Sequence, residues 1–114
     1  MATMEITLVH TRDEEGTRSV WARMDPESGT LVIEGQDLGK GVSDFFGPSN
    51  TEYEYEVTVL TENLPRLMQE LGAAPGTWIL DGLAARFSGA EAHKLRTWLE
   101  ERGLAGPGWT RIGS

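Results

Sequence analysis

A chain of 114 residues, 39% hydrophobic and 25% charged, has the composition of one folded domain with a single core and not of a disordered tail. It holds no cysteine, which excludes disulfides and thiolate chemistry, and no apolar run approaches the roughly 20 residues that a membrane helix needs. The net charge of −8 lies wholly in residues 1–60, with twelve Asp and Glu against four Lys and Arg, while residues 61–114 hold six of each; such a first half repels phosphate backbones and favours a basic partner.

The first half reads as strands. From Met4 to His10 the residues alternate, with Met4, Ile6 and Leu8 on one side and Glu5, Thr7 and Val9 on the other. "RDEEGTR" supplies a turn in which Gly16 takes a positive φ. Arg18 to Asp25 alternates again, Val20, Ala22 and Met24 opposing Ser19, Trp21 and Arg23. After the "DPESG" turn, Thr30 to Gly35 forms a third strand with Leu31 and Ile33 inward. These short links predict an antiparallel meander. A long connection follows, in which "VSDFF" is expected to make one helical turn. Adjacent Phe45 and Phe46 cannot point the same way, so one is expected to plug the core's open end and the other to lie outside beside Asp44. Glu52 to Leu60 is a fourth strand, with Tyr53, Tyr55, Val57 and Val59 inward and Glu52, Glu54 and Glu56 outward.

The period then becomes helical. Leu64, Leu67, Met68 and Leu71 follow helix spacing, with Thr61 or Asn63 as cap, Pro65 in the first turn and Gly72 as stop. Thr77 is expected to cap a second helix bearing Ile79, Leu83 and Phe87. Ser88 and Glu91 have capping-box spacing before a third, with Leu95, Trp98 and Leu99 on its apolar side and Gly103 at its end. "GPGW" predicts an irregular tail, its Trp109 and Ile112 docked on the body. The expected fold is α+β: one domain over 1–114, with strands at about 4–60, helices at about 61–103 and a docked tail at 104–114. A four-stranded antiparallel sheet would carry about three helices on one face.

Catalytic chemistry finds no matched set of groups. The two histidines, His10 and His93, sit in no metal-ligand spacing. No serine has a G-x-S-x-G elbow. "GQDLGKG" departs from a phosphate loop, since three residues separate Gly35 from Gly39 and Gly41 follows Lys40 where a hydroxyl should stand. Glu52, Glu54 and Glu56 are spaced roughly 7 Å apart on an open face, which cannot desolvate a carboxylate enough for acid–base work. A calcium site at Asp37 or Asp44 has no supporting loop spacing. No catalytic residue, metal or cofactor is expected.

The binding candidates are Trp21, Arg23, Glu34, Glu52, Glu54 and Glu56 on the outward sheet face, with Asp44 and Phe46 in the long loop. An aromatic ringed by charges is the usual anatomy of a binding hot spot. The plain alternative is a solvated acidic face serving solubility, with Arg23 paired to a neighbouring glutamate and Trp21 covered.

"LVIEGQDLG", "FFG", "TEYEYEVTV", "LPRLMQELG", "LAARF" and the closing "WTRIG" together resemble a set of small bacterial proteins, mainly from high-GC actinobacteria, to which no activity is assigned. The resemblance covers most of the chain from Leu31 onward. It implies that the loop and the tail belong to the domain, and that the closing Gly113 and Ser114 differ from the native end through cloning. It carries over no catalytic residues.

The N-terminal residues lack a basic-then-apolar pattern, so no signal peptide is expected and a cytoplasmic location is. The expected function is a non-enzymatic, immunity-like module that engages a basic protein through the acidic sheet face, with no nucleic acid and no membrane as partner. Two alternatives stay open. One is a self-associating structural domain, a homodimer for instance. The other is a small-ligand or single-stranded nucleic-acid binder that uses the 36–51 loop and its aromatics.

Overall fold

The computed structural model describes residues 4–48 and 50–113; Ser114, one of the two end residues expected to be non-native, lies outside them. The strands are β1 (Glu5–Asp13), β2 (Gly16–Met24), β3 (Leu31–Leu38), β4 (Glu52–Val59) and β5 (Gly108–Gly113). The helices are α1 (Lys40–Phe46), α2 (Leu64–Leu71), α3 (Ile79–Phe87) and α4 (Leu95–Glu101), with 3₁₀ turns at Thr61–Asn63 and Gly89–Lys94. The fold is α+β, and the five strands form one antiparallel meander in the order β1-β2-β3-β4-β5.

Two counts differ from the sequence expectation. The sheet has five strands instead of four, because the tail pairs with β4 from Glu52↔Gly113 to Val57↔Gly108. There are four α-helices among the described residues, because "KGVSDFF" makes a seven-residue helix and not a single turn. Trp109 and Ile112 meet the body as strand partners of Glu56 and Tyr53, and stand 48% and 45% exposed.

Alternation sorts the side chains as elementary strand geometry demands. The core cluster takes Val20, Ala22, Leu31, Ile33, Val57 and Val59 from the sheet and packs them against Leu67, Leu80, Leu83, Leu95, Leu99 and Leu104. Each of these valines, leucines and isoleucines contributes roughly 1.5–3 kcal/mol on burial. Val9, expected outward, is buried in this core beside Leu8. The cause is a break in register between Thr7 and Val9, where β1 carries one residue more than β2 and so turns Val9 inward. Val32 does face outward, in register with Arg23 and Thr58, yet is only 5% exposed.

Gly35 pairs with Tyr55 across β3 and β4, and a Cβ at position 35 would overlap the Tyr55 ring. The bare Cα is what lets that ring lie flat over the sheet. Gly16 closes the β1–β2 hairpin at φ 128°, where a side chain would run into the Leu38 carbonyl. The hairpin tip in turn anchors α1, because Gly41 N–H donates to the Glu15 carbonyl at 2.8 Å.

Helix ends follow the expectation at their stops but not at their starts. Gly72 ends α2 in the left-handed region, and Pro65 sits in its first turn. Asn63, Thr77 and Ser88 make no capping bond to their helices. Thr61 instead donates to the Ser28 carbonyl at 3.1 Å, and Ser88 donates back to the Ala84 carbonyl. Both hydroxyls donate to carbonyl oxygens, and for Ser88 this is a local bond that competes with the capping geometry.

Candidate functional site

The outward sheet face assembles itself by register. Thr7, Trp21, Glu34, Glu56 and Trp109 form one cross-strand row, and Glu5, Arg23, Val32 and Thr58 the next. On the other side of the first row stand Ser19, Gln36, Glu54 and Arg111. None of these residues belongs to the core cluster that the helices cover, so the face is held apart from the helix layer. Six of the eight sequence candidates (Trp21, Arg23, Glu34, Glu52, Glu54 and Glu56) share it.

Its carboxylates are ordered by neighbours. Arg23 Nε donates to Glu34 Oε1 at 2.9 Å, and its Nη2 lies 3.5 Å from Glu56 Oε1. The Glu34 bond is also the main reason the Arg23 pKa is raised above its ordinary value. Glu56 accepts a second bond from Trp109 Nε1 at 2.9 Å. Glu54 accepts from Gln36 Nε2 at 3.0 Å and from Arg111 Nη2 at 2.8 Å. Trp21 is half-buried in the row. The face therefore presents fixed, partly compensated negative charge between two tryptophans.

Asp44 and Phe46 do not join it. Phe46 stacks on Tyr53, ring centroids 5.5 Å apart, and Tyr53 faces the helix side together with Tyr55 at 6.1 Å. Asp44 pairs with Lys40 at 3.5 Å within α1. Neither phenylalanine closes the core: Phe45 is 82% exposed and Phe46 36%, while Val42 is the buried residue of α1. A seven-residue helix has room to bury one side chain per turn against the sheet, and the β-branched valine takes that place.

A second region takes in part of the 36–51 loop that the small-ligand alternative named. Beyond the Val20, Gly35 and Tyr55 row, the helix-side face changes from aliphatic to Arg18, Asp37, Tyr53 and Ile112. Arg18 pairs with Asp37 at 3.3 Å. Above them, α1 and the hairpin tip enclose a cleft of about 580 Å³. Arg96 of α4 reaches this row, donating to the Tyr53 hydroxyl at 2.9 Å and lying 4.8 Å over the Tyr55 ring. Burial pushes the Tyr55 phenol up to about 12, opposed by Arg96. Burial also lowers the His93 pKa, helped by Arg18 and opposed by Asp37. Asp37, Phe45 and Phe46 lie in the segment named in the sequence, whereas Asp13 and Glu15 come from the hairpin tip, distant in sequence.

Among the described residues no group of three His, Asp or Glu side chains could hold a metal ion, and no helix is long and apolar enough to cross a membrane. The chain matches no protein-family model, no curated protein and no solved structure.

Proposed function

We propose that this chain is a non-enzymatic, immunity-like binding module that offers its outward sheet face to a basic protein partner. The observation that carries the reading is the row Trp21, Glu34, Glu56 and Trp109, with Glu34 and Glu56 held in place by Arg23. Five glutamates (5, 34, 52, 54 and 56) share the face with three arginines (12, 23 and 111), so its net sign is negative. Preordered carboxylates lose little side-chain entropy when a cation arrives, and the tryptophans supply apolar contact area. Charge of this kind speeds encounter and fixes partner choice more than it adds affinity.

The test is affinity capture at low and high ionic strength, followed by titration of the captured protein against the Glu52→Gln, Glu54→Gln, Glu56→Gln triple variant. A basic protein should be retained at low salt and released at high salt, and the variant should bind it at least about ten-fold more weakly. Unchanged affinity in the variant rejects the acidic-face reading.

A second reading, self-association, is favoured by β5. It is an edge strand exposed along nearly its whole length, with large apolar Trp109 and Ile112 upon it, and an open edge is a template for a further strand. Light scattering over a concentration series decides it, because a dimer would double the apparent mass.

A further inference from the structure

The cleft beneath α1 lies on the helix side of the sheet, away from the face described above, and has its own chemistry. Its volume of about 580 Å³ is ample for a small ligand or a single long side chain. One wall is aromatic. Phe45 meets Phe46 edge to face at 4.8 Å, and Phe46 stacks on Tyr53 at 5.5 Å. With the Tyr53 hydroxyl held by Arg96, these rings turn apolar surface toward the cavity. Phe45 in particular stands 82% exposed, an uncommon placement for so large an apolar group. The other wall and floor carry Asp13, Glu15 and Asp37 against a single cation, Arg18, which is already paired to Asp37 at 3.3 Å.

Aromatic faces attract cations and carboxylates neutralise them, and both occur here around one cavity. An anion would meet three carboxylates and one committed arginine. A neutral aromatic ligand would leave the carboxylates unused. The molecule itself supplies a partial mimic of the missing charge: Lys40 reaches over from α1 to lie 3.8 Å from Glu15 and 3.5 Å from Asp44. At 64% exposure, Lys40 is a loosely held ammonium that an arriving cation can displace.

We propose that this cleft binds an organic cation of the guanidinium or alkylammonium class, its apolar stem on Phe45, Phe46 and Tyr53 and its charge beside Glu15 and Asp13. The same chemistry comes from a free diamine-like molecule or from an arginine or lysine side chain of a protein.

The experiment titrates the isotope-labelled full chain with agmatine, and in parallel with the peptide acetyl-Gly-Arg-Gly-amide, following backbone amide shifts. Saturable shifts centred on Gly16, Gly41 and Phe45 are expected with both, and none with glutarate, which has similar length and opposite charge. Phe45→Ala should weaken binding about two- to five-fold, the share one exposed cation–π contact supplies. Lys40→Gln, which removes the competing ammonium, should tighten it about two-fold or more. Glu62→Gln, an exposed charge-matched control outside the cleft, should leave it unchanged. Tighter binding of agmatine points to a free cation and tighter binding of the peptide to a side chain; either supports the site. Shifts that do not saturate, shifts produced equally by glutarate, or binding that weakens in Lys40→Gln would overturn it. Phe45, Glu62 and Lys40 are all solvent-exposed, so these variants keep the fold, and their unperturbed spectra serve as the check.

Discussion

Glu34 and Glu56 stand directly opposite one another on neighbouring strands, and Arg23 lies within 2.9 Å of the first and 3.5 Å of the second. Like charges in register repel, so this pair is tolerated because one guanidinium bridges it. Replacing Arg23 with Met keeps the stem but removes the bridge. These groups are partly exposed, so solvent screens the interaction, and the expected loss is about 1 kcal/mol at low salt. Chemical denaturation should show that loss shrinking as salt is raised, and shrinking again in the Arg23→Met, Glu34→Gln double variant. A cost unaffected by either change would mean that packing of the arginine stem, and not the bridge, is what was lost.

Tyr55 makes stability sensitive to alkali. Its phenol ionises at about 12 in the fold against an ordinary 10.0, because burial disfavours the phenolate. Between those values the unfolded chain releases a proton that the folded chain keeps. The contribution is therefore fully present below pH 10 and is lost as pH rises toward 12, roughly 2–3 kcal/mol in all. Tyr55→Phe should flatten denaturation midpoints over that window relative to the parent protein.

His93 acts at the other end of the scale. Burial lowers its pKa below the ordinary 6.5, so the unfolded chain takes up a proton first as the solution is acidified. Its contribution is whole above pH 6.5 and declines as pH falls through that value toward the folded pKa. In His93→Gln the stability profile from pH 7 downward should lose part of its slope. An unaltered slope would show that the carboxylates alone govern acid unfolding.

Gly35→Ala tests how firmly the Tyr55 ring is seated. A methyl group there overlaps the ring, which Arg96 also covers at 4.8 Å, so the ring has nowhere to retreat without breaking that contact. Overpacking of this kind costs about 1–3 kcal/mol. Thermal melting should show the loss, and Gly35→Ala, Tyr55→Leu should recover part of it by removing the ring.

The sequence made four strands and the three helices of the core layer legible because each buries one face, and burial writes a period into the residue types. Trp21, Arg23, Glu34 and the three glutamates of β4 were placed on one face by that same period, and the register agrees. β5 left no such mark. With Trp109, Thr110, Arg111 and Ile112 all exposed, neither side of the strand is selected for apolarity, and the preceding Gly-Pro-Gly reads as irregular chain. The turned Val9 was hidden for a different reason, since an extra residue in one strand depends on its partner. Asp44 and Phe46 were grouped with the acidic face because a loop's sequence does not say which side of a sheet it crosses. The 36–51 loop and its aromatics were legible as an alternative ligand-binding segment, but not the cleft they form with Asp13 and Glu15, which come from a separate part of the chain.

Every ladder but one joins strands that follow each other closely. β5 must wait for residues 60–107, the whole helical layer, before it reaches β4. That gives assembly an order. The first four strands can zip by short-range closure, whereas the last ladder closes a long loop whose entropy must be offset by helices already in place. Until then the β4 edge is unguarded, with its backbone groups open and Trp109 not yet bonded to Glu56. During synthesis β5 leaves the ribosome after every other strand of this sheet, so nascent chains stalled just short of Gly108 should expose the β4 edge that β5 covers in the folded domain.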